Sequence, residues 1–187
     1  MLFERLTSLS DRVLRWLTLG ALAALLACSS GGDRKPSGVA SSASSSAVST
    51  ASSQSAEAQV LADYRAFWVS GYLVAADPMN PASPALTAHA TGQQLETLQK
   101  AFLARKTNGE VIRGTLDLAP RVVSVVGSQA TVRDCYLDNT GVFDAASGAR
   151  HDTPTGVRHL ITATLQLDGS TWKVSDLKQE GDGCTAA

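Results

Sequence analysis

Three side chains that can give or take a proton follow the alternation of candidate strands. Asp134 and Tyr136 lie two residues apart in one alternating segment, and His159 shares its parity with Ile161 in another. Residues two apart point to the same face of a strand, so apolar neighbours predict that Asp134 and His159 face the core. Burial would raise the pKa of Asp134 and make it a candidate general base that meets His159. The alternative is that Asp134 pairs with an arginine such as Arg158 and that His159 lies at a solvated strand end.

Aromatic residues at helical spacing supply a second group of candidates. Tyr64, Trp68 and Tyr72 recur every four residues, which aligns them on one face of a helix. They either line a ligand cavity or fill the core, and aromatic residues at this spacing more often fill a core. With a tryptophan from the last strand, the candidate pocket residues are Tyr64, Trp68, Asp134, Tyr136, His159 and Trp172. The sequence assigns a catalytic role to none of them.

Several kinds of site lack the residue spacing that they need. The sequence has no close cysteine pair, no His-x-His and no His-Glu-x-x-His, so no metal site is predicted. Neither a Gly-x-Ser-x-Gly elbow nor a glycine-rich phosphate loop occurs, and we predict no cofactor. The formal net charge of −1 leaves no surplus of basic residues for nucleic acid, so no nucleic-acid partner is expected.

The one long apolar run of the sequence ends at Leu25-Leu26-Ala27-Cys28. As a helix, residues 16–27 would span about 18 Å, short of the roughly 30 Å hydrocarbon core of a bilayer. A charged start, a short apolar centre and a small residue before a cleavage point are typical of a signal peptide. The segment resembles the lipobox of bacterial lipoproteins, which implies a signal peptide over 1–27, diacylation of Cys28 and a lipid anchor on the extracytoplasmic side of the cell membrane. A leader that ends beside an accidental cysteine is the alternative.

The two other cysteines are Cys135 and Cys184. If Cys28 carries lipid, an even number of cysteines remains in an exported protein, and oxidising compartments favour their pairing. We therefore predict a disulfide between them, which would close a loop of about 50 residues and stabilise the fold by about 4 kcal/mol in the chain-entropy model. Two unrelated buried thiols are the alternative.

Composition changes sharply behind the lipobox. Residues 28–55 are mostly Ser, Ala and Gly, which offer little to bury, so we predict a lipidated cysteine followed by a disordered tether. A single folded domain is expected over 56–184, with 185–187 as a tail.

Three helices are predicted at the start of this domain from apolar spacing and end signals. The first begins at Ser55 and ends at Asp77-Pro78, the second has Ser83 as its cap and Pro84 at its first position, and the third begins with the capping box Thr91-x-x-Gln94 and ends at Asn108-Gly109.

Beyond the helices the apolar period becomes two, which indicates strands. The predicted strands are Val111–Leu118, Arg121–Val126, Ala130–Asp138, Arg158–Leu167 and Thr171–Leu177. Between the third and fourth strands, residues 140–156 are predicted as a long loop that holds at most a small ribbon. Helices followed by a run of antiparallel strands are typical of an α+β fold.

This layout resembles the nuclear transport factor 2-like superfamily of cone-shaped α+β domains, within a group of exported actinobacterial lipoproteins of uncharacterised activity. Besides the lipobox, the resemblance rests on Ala90-Thr91-Gly92, Arg113-Gly114, Asp134-Cys135, Trp172-Lys173-Val174 and Cys184. The resemblance covers residues 56–184 and implies a concave sheet, closed by the first helix, with a pocket between them.

One frame of this kind serves several functions, so the fold alone does not choose among them. The leading expectation is a membrane-anchored module that binds a small apolar ligand or an envelope protein. The first alternative is an enzyme of the isomerase or dehydratase type that uses Asp134 with His159 or Tyr136. The second alternative is a structural domain that forms a homodimer through its sheet.

Overall fold

The computed structural model describes residues 45–153 and 156–186, with side chains from Gln54 onward. The predicted signal peptide, the lipobox, Cys28 and the predicted tether as far as residue 44 lie outside the described residues. All described residues belong to one compact unit. Among them, no helix combines the length and apolar character needed to span a membrane.

Helices occupy the first part of the described chain. They are α1 (Ser45–Ala66), which continues directly into a π-helical segment (Phe67–Val74), then α2 (Pro84–His89) and α3 (Gly92–Thr107). The prediction that the first helix begins at Ser55 was wrong, because α1 begins at Ser45. The apolar stripe that set the prediction starts at Val60, whereas the preceding alanines favour helix without contributing to a stripe.

The helix ends agree with the predictions in position but not in every contact. Pro84 is the first residue of α2, and Asn108 is the C-cap of α3, followed by Gly109 with φ +72°. The prediction of a capping box at Thr91 was wrong. Thr91 occupies the N-cap position, but its side chain makes no capping hydrogen bond. Its amide instead donates to Val174 O at 2.9 Å, and the other half of the box, Gln94, is 4% exposed.

In the described part of the chain, seven strands follow the helices. They are β1 (Glu110–Arg113), β2 (Leu116–Asp117), β3 (Pro120–Val126), β4 (Gln129–Asp138), β5 (Gly141–Asp144), β6 (Arg158–Asp168) and β7 (Thr171–Asp182). All their pairings are antiparallel. The large sheet has the order β2-β4-β6-β7, with β3 also paired to β4, while β1 and β5 form a separate two-stranded ribbon.

Two strand predictions need correction. The single strand expected over 111–118 is divided between the ribbon and the large sheet, and the break falls at Gly114, whose φ of +131° is outside strand geometry. The last strand continues past Leu177 to Asp182. The small ribbon allowed for in the 140–156 loop is present as β5.

The chain has the predicted α+β fold, with helices followed by a curved, unclosed antiparallel sheet. Register shifts interrupt the pairing of β3 with β4 and, at two places, of β6 with β7. An extra residue in one strand bends it and increases the local twist, which accounts for curvature at these points. The inner face of the sheet and the helices bury one apolar core, whose largest fully buried side chains include Tyr64, Phe67, Phe102, Leu86 and Leu165.

Candidate functional site

Five of the six predicted pocket residues form one contiguous cluster. Tyr64 Oη donates a hydrogen bond of 2.9 Å to Asp134 Oδ2. The Trp68 and Tyr136 rings stack with centroids 5.3 Å apart, and Tyr136 lies 5.5 Å from the His159 ring. One turn of helix thus sets two aromatic side chains against two inward-facing residues of β4, in agreement with the predicted parity.

The interior of this cluster is closed. Tyr64 is 0% exposed and Asp134 is 1% exposed, while Trp68 and Tyr136 are each 8% exposed. These residues pack with the apolar core, as the alternative for the helical aromatics stated, and do not line an open cavity. Trp68 Nε1 is buried and has no hydrogen-bond partner among the described residues.

Asp134 is the most deeply buried carboxylate of the described residues. Burial raises the pKa of its carboxyl group, and hydrogen bonds from the Ala119 amide at 2.7 Å and from Tyr64 oppose that rise. Burial also raises the pKa of Tyr64 and of Tyr136, and the nearby Asp134 adds to the effect at Tyr64. Both phenols therefore stay neutral and keep their protons at physiological pH.

His159 does not share a direct hydrogen bond with Asp134. In the β4–β6 register Asp134 faces Ile161, whereas His159 faces Tyr136. His159 Nδ1 lies 2.6 Å from Asp182 Oδ1, and this hydrogen bond lowers the pKa of Asp182. The direct acid–base pair expected from parity is therefore absent, because each partner is hydrogen-bonded elsewhere.

The alternative that Asp134 forms an ion pair with an arginine such as Arg158 is also wrong. Arg158 pairs with Asp117, and its other terminal nitrogen donates to Cys135 O at 3.0 Å. Asp134 is instead satisfied by a tyrosine hydroxyl and a backbone amide, and Arg158 acts on it only through its more distant charge.

Trp172 occupies a different part of the core. It is 5% exposed, and its backbone amide donates to Asp63 Oδ2 at 2.8 Å. The other Asp63 oxygen accepts from Gln59 Nε2 at 3.1 Å. Sequence reasoning missed Asp63, although a carboxylate within the apolar stripe of the first helix was a usable signal.

The predicted disulfide is confirmed. Cys135 in β4 and Cys184 just after β7 are joined with an S–S distance of 2.07 Å and Cα atoms 5.9 Å apart. Cys135 alternates with the inward-facing Asp134, so the bridge starts from the outer side of the sheet.

An open groove of about 230 Å³ lies on that outer side and is the candidate binding site. Its lining comes from four strands and consists of Arg121, Val123, Thr131, Arg133, Thr162 and Glu180. Arg121 stands directly opposite Arg133 in the β3–β4 register, and Arg133 stands opposite Thr162 in the β4–β6 register. Glu180 accepts from Arg133 Nη2 at 3.2 Å and from Thr162 Oγ1 at 3.0 Å.

Sequence reasoning did not find this groove. Alternation correctly assigned Thr162 to the outward face of its strand, but it could not show which strands are neighbours. The groove depends on cross-strand pairing, so its signal was limited to polar residues at outward positions. Within residues 45–153 and 156–186, no three His, Cys, Asp or Glu side chains are grouped as metal ligands.

Comparisons with known proteins leave the family open. No family model matches the chain, and no curated protein matches it. Among solved structures, it is similar to the intermembrane space region of the chloroplast protein ARC6. That similarity has 15% sequence identity and a TM-score of 0.44, and it covers 67% of this chain and 94% of the other. A likeness at this level carries no inference about function.

Proposed function

We propose that this chain is a lipoprotein, anchored through Cys28 to the extracytoplasmic side of the cell membrane, whose folded domain is a binding module. The observation that carries the binding role is the contrast between the closed interior around Asp134 and the open groove on the outer face of the sheet. Five of the six lining residues carry a charged or hydroxyl group, which favours a polar ligand or an envelope protein over the small apolar ligand expected from the sequence.

The lipobox supports the anchor, and the disulfide supports export. Bridges of this kind persist in oxidising compartments and are rare in the cytosol. The Cys135–Cys184 bridge also leaves Cys28 as the one cysteine of the sequence outside the pair. Its position directly after an apolar run and a small residue is the position that lipidation requires.

The burial of the cluster favours a binding module over an isomerase or dehydratase. A general base must come within hydrogen-bond reach of the proton that it removes. Asp134 is 1% exposed and uses both oxygens for hydrogen bonds within the fold, so a substrate would first have to displace Tyr64.

The order of helices and sheet supports a further part of the proposal, membership in the nuclear transport factor 2-like superfamily. A curved sheet whose inner face is covered by the preceding helices is the frame that the resemblance implied. A homodimer formed through the sheet stays an alternative.

The anchor is tested by metabolic labelling of the full-length chain with radioactive palmitate in a bacterial host. We expect label in the membrane fraction, and we expect Cys28→Ala to lose both the label and membrane attachment. Ser29→Ala is the matched control and should behave as the unmodified chain. Equal labelling of the Cys28→Ala variant would overturn the anchor.

The binding role is tested by native mass spectrometry of the full-length chain extracted in an uncharged detergent. A mass increment beyond the chain and its lipid is the expected result, and its size distinguishes a small ligand from a protein partner or a second copy. A bare monomer under every extraction condition would contradict a binding module.

A further inference from the structure

We propose that the groove on the outer face of the sheet binds a small soluble anion through a carboxylate or phosphate group, with Arg121 and Arg133 as its cationic ligands. This inference rests on the proposed binding role and names the chemistry of the ligand. It is carried by the arrangement of two arginines and one glutamate within a lining that comes from four neighbouring strands.

The two arginines form a like-charge pair within the sheet. Arg121 and Arg133 stand directly opposite each other in the β3–β4 register. Like charges in directly opposed cross-strand positions destabilise a sheet, so this arrangement has an energetic cost. An anion between the two guanidinium groups would convert that repulsion into two attractions.

The groove contains one negative charge for these two positive ones. Glu180 pairs with Arg133 at 3.2 Å, and the pair is partly exposed, with 39% of the Arg133 side chain and 31% of the Glu180 side chain accessible. Arg121 is exposed and has no ion pair within the described part of the chain. Lys178, which lies on β7 with Glu180, is exposed and stands opposite Thr162 of β6.

Arg133 also has N–H groups that make no hydrogen bond with the described residues. Arg133 uses one terminal nitrogen for Glu180, and its Nε is buried without a partner. A guanidinium group offers five donors in a planar fork that matches a carboxylate or a phosphate. Thr131 adds a hydroxyl group to the lining; it lies two residues before Arg133 in β4 and stands opposite Thr164 in the β4–β6 register.

The volume of about 230 Å³ fits the charged end of a small molecule and is below the range of about 300–1,000 Å³ found for drug-sized ligand sites. The two threonines and the exposed Val123 add uncharged groups to the lining, so the arginines are the positive charges of the lining that an anion would contact. Glu180 competes with the anion for Arg133, which predicts that its charge weakens binding.

The test is a ¹⁵N NMR titration of the full-length chain in uncharged detergent micelles, with inorganic phosphate and succinate as separate probes. We expect saturable shifts of the arginine Nε–H signals and of amides in β3 and β4. Arg121→Gln should weaken binding about tenfold or more, the factor that corresponds to one charged hydrogen bond. Glu180→Gln should strengthen binding several-fold, because it frees Arg133.

Two variants at residues that do not line the groove carry the same charge changes and serve as matched controls. Arg65→Gln removes an exposed arginine on α1, and Glu96→Gln removes a carboxylate that is 70% exposed on α3. Arg121→Lys keeps the charge but loses the fork, so it should bind with intermediate affinity. The thermal unfolding midpoint of each variant establishes that it folds, and Arg121→Lys replaces Arg121→Gln if the latter does not.

Saturation by phosphate or by succinate supports the site and identifies the preferred group. Loss of phosphate binding when phosphatidylglycerol is added to the micelles would overturn a soluble anion as the ligand and assign the site to a lipid headgroup. Equal effects of Arg65→Gln and Arg121→Gln, or no saturation with either probe, would overturn the site itself. A ligand captured in native mass spectrometry together with no saturation here would leave the binding role standing and reject only the anion.

Discussion

Asp134 combines almost complete burial with two hydrogen bonds, and the balance between them sets how the fold responds to pH. Burial disfavours its ionised form more than the Tyr64 hydroxyl and the Ala119 amide favour it, so the folded pKa lies above that of the unfolded chain. Between those two pKa values the native state binds more protons than the unfolded state. The contribution of Asp134 to the free energy of unfolding therefore falls as the pH rises from about 4, the ordinary pKa of an aspartate, to its raised pKa in the fold.

Asp134→Asn should remove this pH dependence. We expect the free energy of unfolding of the variant, relative to that of the unmodified chain, to increase as the pH is raised from 4 to 7, because the amide cannot ionise. Urea unfolding of the full-length chain at several pH values measures the difference. Asp176→Asn, which removes an exposed carboxylate of β7, controls for the loss of one negative charge. Identical pH profiles for Asp134→Asn and the unmodified chain would contradict the prediction.

At the residue scale, strand parity was enough to predict that Asp134 and Tyr136 point inward. It was not enough to predict what satisfies Asp134, because Tyr64 is 70 residues away in the sequence and reaches it only through the packing of the first helix on the sheet. The partner of His159 likewise depends on strand register. A shift in pairing with β7 brings Asp182 opposite His159, and no property of either strand alone contains that information.

Gly114 is the position at which two elements that look like one strand are separated. Its φ of +131° turns the chain from the ribbon strand β1 into β2 of the large sheet. A Cβ atom at this position would lie 2.4 Å from Asn139 O and 2.7 Å from Thr140 Cα. Those are backbone atoms at the matching transition from β4 to β5, so they cannot move aside as a flexible side chain would.

Gly114→Ala should therefore destabilise the fold by about 3 kcal/mol, the upper end of the range for a strained backbone position, because the close contact adds to the strain. Gly127→Ala is the matched control. Gly127 also has a positive φ, of +58°, but no atom lies within 4 Å of its Cβ position, so about 1 kcal/mol is expected. Chemical unfolding of both variants measures the contrast, and equal losses would show that the close approach to Asn139 has no energetic weight.

Elements were predictable from the sequence where one local signal determined them. Proline at the start of α2 and the Asn-Gly end of α3 are of this kind. The capping box of α3 failed because Thr91 forms a backbone hydrogen bond to β7 and Gln94 is buried, and both contacts are tertiary. The division at Gly114 was missed because alternation continues through it.

For the whole molecule, the cysteine pair connects the middle of the sheet to the end of the chain. The bridge spans a sequence separation of 49 and retains the end of β7 beside β6, where the Gly183 amide donates to Arg158 O at 2.8 Å and His159 meets Asp182. Besides the bridge, the β6–β7 pairing and these polar contacts hold this segment.

Replacing both Cys135 and Cys184 by serine should lower the free energy of unfolding by about 4 kcal/mol, because the unfolded chain regains the entropy of a loop of this length. That is a large share of the roughly 5–15 kcal/mol by which a typical domain is stable. Urea unfolding of the double variant, and of the unmodified chain with and without a thiol reductant, measures the loss. Cys28→Ser removes a cysteine but not the bridge and is the matched control. A reductant that leaves the unfolding midpoint of the unmodified chain unchanged would contradict a stabilising bridge, whereas a loss confined to the double variant and the reduced chain would assign the stability to this one connection.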